Sequence, residues 1–495
     1  MAKERQILII GAGIGGLAAG CYGQMNGYDT RIFEMHNLPG GVCTAWRRRG
    51  YTFDGCIHHL AGCRPGEPLY RMWRDLGAVP RPLLYPEELA SVEAPEGESL
   101  TAYTDLDRLE AHLKDLAPDD ADAIEDYVVS IRRAAALDLM ELSVASPRDL
   151  ARLLPLAVRN LRWFRDTMAG AGARFRNPRL RHLFPWLQYA APRTPAALHL
   201  NMMAQCSRGN YGWPEGGSLA FARSVADRYR DLGGHLHYHS RVTRILVEDD
   251  RAVGVRLVDG SERRADIVVS AAYTPTTIFD LLGGRYVNSR LHDHYTQPVD
   301  AIDMGLHVSL GVDRDLSAEP HALVCLLDEP VEIADEERDH LHVHIYAFDP
   351  TMAPPGKSAL KVTLRTSYSY WETLRQDRKR YRAEKERVAE AVIARLEPRF
   401  PGLSDQIDVV DVATPLTTDR YTGNKGAFDG LLAPELGGLL RGRGLVRTLP
   451  GLDDFYMVGQ WAGFPGLPVV AGMGRSLIRF LCRRDRRPFI ADVAD

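Results

Sequence analysis

The chain has 495 residues, 45% hydrophobic and 25% charged, a balance that excludes disordered, collagen-like and mini-protein classes. Its 61 Lys and Arg against 65 Asp and Glu leave a net charge of −4, so no global attraction steers it toward nucleic acid. At roughly 100–200 residues per domain, the length predicts about two to four structural units, and the seven cysteines form no C-x-x-C pair, which points to a reducing compartment and inert core thiols.

Lys3 and Arg5 precede an uncharged stretch from Gln6 to Tyr28, which superficially copies a signal peptide or membrane span. Glycines at 11, 13, 15, 16, 20, 23 and 27, with Gln24 and Asn26, argue against a spanning helix. No other segment reaches about 18 consecutive apolar residues, so the expectation is a cytoplasmic protein without signal peptide or transmembrane span.

Ile7–Ile10 reads as a central parallel strand buried on both faces. Gly11-Ala12-Gly13-Ile14-Gly15-Gly16 follows, then a helical pattern from Leu17 to Met25 and a second strand from Thr30 to Phe33. In this order Gly11 permits a tight turn, Gly13 lets backbone N–H groups approach a pyrophosphate, and Gly16 lets helix and strand pack closely. Glu34 ends the second strand, where its carboxylate can accept the hydroxyl protons of an adenosine ribose. An acid there disfavours a 2′-phosphorylated cofactor. Gly40-Gly41 then opens a second flexible backbone segment.

Farther on, Gly216-Gly217 precedes a helical pattern over 218–232 and a strand over 241–247. A hairpin is expected from 253–258 and 264–269 through Asp259-Gly260. Near the end, 455–458 reads as a strand, Gly459 as a close-approach point, and Pro468 as the first residue of a helix through Leu481. A helix beginning at Pro468-Val469 would aim its positive end at a bound anion or electron-rich ring.

From these motifs the chain resembles the FAD-binding phytoene desaturase, carotenoid isomerase and retinol saturase group, whose relatives include the amine oxidases. The residues that carry the resemblance are the first glycine motif, the run from Glu34 to Gly41, Tyr51 to His59, Trp213-Pro214-Glu215-Gly216-Gly217, Tyr456 to Gln460 and Gly466-Leu467-Pro468. Where many flavoproteins place an Asp after the glycine of the last strand, this chain has Gln460, as in the saturase and isomerase branch. The resemblance implies an α/β fold, an FAD-binding Rossmann-like domain of glutathione-reductase type with an interleaved α+β substrate domain. Residues 1–70, 211–284 and 451–495 would form the FAD domain, and 71–210, mainly helical, with 285–450 the substrate domain. It implies non-covalent FAD at Gly11, Gly13, Ile14, Gly15, Gly16, Glu34, Met35, Gly40, Gly41, Val42, Val242, Gly459, Gln460, Pro468 and Val469. It also places His58 and His59 near the flavin ring as candidate proton donors, with Arg47, Trp213 and Glu215 lining the substrate cavity.

The first insertion holds a basic stretch: Arg148, Arg152, Arg159, Arg162, Arg165, Arg174, Arg176, Arg179 and Arg181 against Asp149 and Asp166. With an apolar stripe and Trp163 at its margin, 148–181 is a candidate peripheral membrane contact; the alternative is a surface helix covering the substrate domain. The run 378–397 alternates charge and reads as a solvated helix face. His235, His237 and His239, and likewise His340, His342 and His344, alternate along strands. Neither triplet has supporting Asp or Cys at ligand spacing, so no metal site is expected, and both read as solvent- or interface-facing.

The function expected is an FAD-dependent oxidoreductase acting on a carbon–carbon double bond of a hydrophobic polyene, isoprenoid or polyketide-type substrate. Olefin reduction or isomerisation is favoured over phytoene-type desaturation. With a single dinucleotide motif, electrons would pass to or from a transient partner, NAD(P)H, a quinone or oxygen. An amine-oxidase-like enzyme and a non-enzymatic prenyl- or lipid-binding escort protein are the alternatives.

Overall fold

The computed structural model describes residues 5–79, 81–136, 138–143, 163, 165–189, 191–296, 304–425, 448–463 and 465–491. The first strands in chain order are Gln6–Ile10 (β1), Asp29–Phe33 (β2), Ala45–Arg48 (β3), Tyr51–Asp54 (β4), Leu60–Ala61 (β5), Leu83–Leu84 (β6), Glu88–Glu93 (β7) and Ser99–Tyr103 (β8). Tyr211–Pro214 (β9), His235–His237 (β10), Val242–Glu248 (β11), Arg251–Leu257 (β12), Glu262–Arg264 (β13) and Ile267–Ser270 (β14) follow. The last are Met304–Val312 (β15), Ala322–Ile333 (β16), Glu336–Ile345 (β17), Ser358–Thr366 (β18), Ile407–Ala413 (β19) and Phe455–Met457 (β20).

A five-stranded parallel sheet in the order β10-β2-β1-β14-β20 draws its strands from three separated stretches of sequence. Parallel neighbours cannot be joined by hairpins, so the intervening chain is free to build other structure. Ile7, Ile9, Ile267, Val268 and Val269 are fully buried, which explains the unbroken apolar run read in β1. Helix Ile14–Met25 packs on the C-terminal helix Leu467–Arg484. The packing is close because a Cβ on Gly474 would lie 2.7 Å from the Gly15 carbonyl oxygen and 2.6 Å from the Ala19 nitrogen.

The hairpin ends earlier than the sequence suggests. β13 pairs with β12, but the chain then crosses at Ala265-Asp266, where the Asp266 carboxylate accepts the Gln6 N–H at 2.8 Å, and β14 joins the parallel sheet beside β1. Helix Arg378–Leu396 forms where alternating charge predicted it. The described residues of stretch 71–210 are mainly helical but also supply β7 and β8 to a second sheet.

That second sheet has seven strands, β19-β15-β18-β17-β16-β7-β8, antiparallel except between β16 and β7. Leu306, Val308, Leu310, Val343, Val362 and Leu364 form one face and join Val388, Val392 and Leu396 of helix Arg378–Leu396 in a core. By strand alternation the opposite face presents His307, Ser309, Lys361, Thr363, His342 and His344. It too is covered: Ser309, Lys361, His342 and His344 are buried. Of the basic stretch, residues 148–162 and 164 lie outside the described residues. Its described end is two short helices, Met168–Gly172 and Pro178–Leu183, the second opened by Asn177 capping and Pro178. Trp163 does not lie at a surface margin: it is buried beside Tyr127, and the Arg174 guanidinium stacks on its ring at 4.6 Å. Among the described residues no helix is long and apolar enough to cross a membrane.

Candidate functional site

At the C-terminal end of β1 the backbone is shaped around open space. Gly11 turns with φ +94°, and a Cβ on Gly16 would sit 2.2 Å from the Gly11 carbonyl oxygen, so only glycine lets the helix start this close to the strand. A Cβ on Gly13 would meet nothing within 4 Å. Beside that space, the first-turn amides of helix Ile14–Met25 lack intrahelical acceptors, the arrangement that receives a phosphate.

The second glycine pair closes on the first. Gly40 N–H donates to the Ala12 carbonyl at 2.8 Å, and a Cβ on Gly41 would lie 3.4 Å from the Gly13 Cα. Val42 follows on the same loop, its carbonyl accepting from Thr44 N–H at 3.0 Å. The Glu34 carboxylate accepts Ala12 N–H at 2.7 Å and His36 N–H at 2.8 Å, and burial raises its pKa. An ionised carboxylate has about four acceptor positions, so two backbone bonds fix its direction and leave capacity for hydroxyl donors. Met35 contacts the Arg241 guanidinium, and Ser240 N–H donates to the Glu34 carbonyl at 2.8 Å, which sets Val242 alongside this strand end. From the far end of the chain, Gly459 N and the Val470 carbonyl oxygen would lie 3.3 and 3.2 Å from a Cβ on Gly15. Gln460 follows directly, and Pro468 and Val469 are buried in the first turn of the C-terminal helix. Segments read separately in the sequence are thus gathered at one end of the parallel sheet.

The segment after β4 is held by Asp54. Its fully buried carboxylate accepts Ser218 N–H at 2.6 Å, Ser218 Oγ–H at 2.7 Å and Cys56 N–H at 2.9 Å, while Ile57 N–H donates to Ser218 Oγ at 2.8 Å. Burial raises the Asp54 pKa and the nearby Lys361 ammonium opposes the shift. Ser218 sits in the first turn of helix Gly217–Asp231, where a carboxylate is favoured.

Residues 55–59 lead from this clamp toward the covered face of the large sheet. There the register aligns two cross-strand rows, Ser309–Lys361–His344 and His307–Thr363–His342. The His58 ring centroid is 4.1 Å from that of His344 and 6.2 Å from that of His342, and Tyr189 lies 5.3 Å from His58. His59 Nδ1 and Tyr189 Oη form a 3.0 Å hydrogen bond. His59 also borders a cavity of about 280 Å³ whose walls include Tyr85, Pro86, Thr104, Cys206 and Tyr211.

These imidazoles are neutral at physiological pH. Burial pushes His59, His307 and His342 down to about 3, and burial first, then Lys361 beside His58 and the adjoining His58 and His342 rings beside His344, holds those two well below their usual value. Lys361 is lowered by burial, opposed by Asp54, and donates to the Asp54 carbonyl at 3.0 Å. Yet Ser309 Oγ, Thr363 Oγ1, His342 Nε2, His344 Nε2 and Tyr346 Oη have no hydrogen-bond partner among the described residues. Each such group costs about 1–3 kcal/mol, so this face is built for something that supplies partners.

His340, His342 and His344 therefore do not form a solvent-facing triplet. His342 and His344 turn inward because β17 is covered on both faces, which alternation alone does not reveal. His235, His237 and His239 are exposed. Trp213 is buried, its indole donating to Asp349 at 2.8 Å with Tyr346 5.4 Å away. Glu215 N–H donates to the Pro82 carbonyl, and its own carbonyl accepts from Arg81. Arg47 lies on the exposed β3–β4 hairpin and joins none of these groups. Sequence reasoning missed Asp54, Tyr189, Ser309, Tyr346, Lys361 and Thr363. The detectable signal was polar residues alternating with apolar ones in strands of a large sheet.

Residues 9–76 match the family described as NAD(P)-binding Rossmann-like domain. The chain is 29% identical to the chloroplastic prolycopene isomerase of Arabidopsis thaliana, covering 94% of this chain and 80% of that protein. It is 26% identical to a lycopene-forming phytoene desaturase of Pseudescherichia vulneris, over 96% and 99% of the two chains. It is 24% identical to the all-trans-retinol 13,14-reductase of Danio rerio, over 94% and 84%. Among solved structures, an oxidoreductase from Methanosarcina mazei superposes with TM-score 0.59 at 17% identity, covering 96% of this chain and all of that one. A putrescine oxidase superposes with TM-score 0.57 at 15% identity, over 98% and 99%. These relatives and neighbours fit the FAD-dependent oxidoreductase family to which the glycine motifs point.

Proposed function

We propose that this chain, a homologue of carotenoid isomerases, phytoene desaturases and retinol reductases, is an FAD-dependent enzyme acting on a carbon–carbon double bond of a lipophilic polyene. One observation carries the cofactor assignment: glycine segments 40–41 and 459 close on Gly13 and Gly15 of the first motif, and a Cβ on Gly13 would meet only open space. Gly13 to Gly16 would hold the pyrophosphate on amides, Glu34 the ribose, and Gly459, Gln460, Pro468 and Val469 the ring system, with the helix N-terminus favouring negative charge. When bound, FAD supplies two-electron exchange with a substrate carbon.

The remaining work falls to the chain. The Asp54–Ser218 clamp fixes residues 55–59, so His58 and His59 are presented in one orientation. A neutral imidazole can accept a proton and its N–H can donate a hydrogen bond to the substrate, and the His59–Tyr189 hydrogen bond fixes one ring nitrogen of His59. The covered sheet face keeps water from the reacting bond and orients the substrate. Olefin reduction or isomerisation is favoured because Gln460 follows Gly459, as in the saturase and isomerase branch. No dedicated nicotinamide domain is read from the sequence, so a transient donor or acceptor completes the cycle.

Titration with FAD tests this reading. The purified chain should take up one FAD per chain and display a protein-bound flavin spectrum. Failure to bind FAD while correctly folded would remove it and leave the escort-protein alternative.

A further inference from the structure

The large sheet ordinarily would bury apolar side chains on both faces, as it does against helix Arg378–Leu396. Instead, its covered second face carries Ser309, Lys361 and His344 side by side on three adjacent strands. All three are buried, and Ser309 Oγ and His344 Nε2 have no partner among the described residues.

Charge identifies what would satisfy them. Lys361 carries three donors and gives one of them to the Asp54 carbonyl at 3.0 Å. Asp54 is the carboxylate whose field reaches Lys361, but its oxygens already accept three hydrogen bonds from Ser218 and Cys56. The surrounding imidazoles of His58, His307, His342 and His344 are uncharged, and the remaining titratable neighbours are the Cys56 thiol and the Tyr346 phenol. The row therefore sets a buried lysine amine with unused donors between a hydroxyl and an imidazole that can each donate as well. That is the complement of an anionic oxygen group. A hydrocarbon would leave Ser309 Oγ and His344 Nε2 unpaired and give Lys361 no partner beyond the Asp54 carbonyl.

We propose that the Ser309–Lys361–His344 row binds a carboxylate at the end of the substrate, so that this chain acts on a polyene acid rather than on a hydrocarbon carotene. The inference rests on the polyene reading above and names the substrate class for the same site. Ring contacts run from His59, which borders the cavity walled by Tyr85, Pro86, Glu87, Thr104 and Cys206, through Tyr189 and His58 to His344 in the row. A polyene lying along those rings would bring an acidic end to the row.

Two retinoids with the same polyene test it, all-trans-retinoic acid and all-trans-retinol, titrated into the FAD-loaded full chain and followed by tryptophan quenching, with lycopene as the hydrocarbon probe. Retinoic acid should bind at least about ten-fold tighter than retinol, a difference of about 1.4 kcal/mol. Lys361→Met should abolish that preference while leaving retinol affinity within about two-fold and FAD content unchanged. A merely structural lysine would lower FAD content or stability without altering the acid-to-alcohol ratio. Should Lys361→Met not fold, Ser309→Ala and His344→Phe serve in its place, each reducing the preference by about three-fold. Equal binding of acid, alcohol and lycopene by the wild type, or a preference that survives these substitutions, overturns the proposal and leaves the polyene reading standing. Binding of none of the three removes both.

Discussion

Asp54 and Ser218, 164 residues apart, meet through two hydrogen bonds, Ser218 N–H and Ser218 Oγ–H to the two oxygens of one buried carboxylate at 2.6 and 2.7 Å. The contact ties the end of β4 to the first turn of helix Gly217–Asp231 and thereby fixes the segment that carries His58 and His59. Gly217 is required there, since a Cβ on it would lie 2.4 Å from the Asp54 carboxylate and its φ is +67°.

Asp54→Ala should therefore destabilise the protein by about 3 kcal/mol or more, because charge-assisted hydrogen bonds contribute about 1.5–3 kcal/mol each and Ser218 N–H would be orphaned. Ser218→Ala, which keeps the backbone bond, should cost about 1–2 kcal/mol. Urea unfolding midpoints measure both. Equal effects would mean that the backbone bond is not the dominant contact.

The two glycines at the cradle should behave oppositely. Gly16→Ala puts a methyl 2.2 Å from the Gly11 carbonyl oxygen, and such overpacking costs about 1–3 kcal/mol. Gly13→Ala meets nothing, so thermal stability of the FAD-free protein should hold while FAD retention falls at least about ten-fold. If Gly13→Ala binds FAD normally, the pyrophosphate does not lie over that residue.

Acid should weaken the fold through the buried imidazoles. His59, His307 and His342 titrate near 3 when folded, against 6.5 as the ordinary value. The unfolded chain therefore binds protons first, and the stability these residues contribute is present above about pH 6.5 and lost as pH falls toward about 3. Each fully linked group contributes a slope of about 1.4 kcal/mol per pH unit. His342→Gln should flatten the dependence between about pH 5.5 and 4 by that amount. An unchanged slope in urea unfolding would show that His342 protonates in the folded state.

Tyr346 Oη and Thr363 Oγ1 are buried without partners among the described residues. Tyr346→Phe and Thr363→Val should thus be neutral or stabilising in the ligand-free protein, by up to about 1 kcal/mol, since the removed groups are desolvated and unpaired. Substrate affinity should fall in the same variants. Marked destabilisation of both would mean that water or backbone already satisfies these hydroxyls.

The nucleotide half was legible because its signals are local. The order of β1, Gly11 to Gly16, β2 and Glu34 reflects steric needs satisfied within about thirty residues, and helix Arg378–Leu396 announced itself by charge alternation and the proline after it. The polar half was not. Lys361 sits in an ordinary alternating strand, and its meaning arises when β15 and β17 bring Ser309 and His344 beside it. The His342-x-His344 pattern was visible, but alternation gives two faces without saying which is covered. Asp54 lacked any nearby signal because its partner is 164 residues away. The β13–β14 boundary was missed for a related reason: the strand leaves its hairpin to meet β1, a distant partner.

The most direct test of flavin-dependent polyene chemistry is an anaerobic single turnover. FAD-loaded protein, reduced or oxidised, is mixed with all-trans-retinoic acid or all-trans-retinol while flavin and polyene absorption are recorded together. The account predicts that the polyene spectrum changes only with flavin bound, shifting to shorter wavelength as reduced flavin is oxidised in the case of reduction, and that Gly13→Ala abolishes the change. A polyene spectrum unaltered by the FAD-loaded protein in either redox state, or altered equally without FAD, would contradict it.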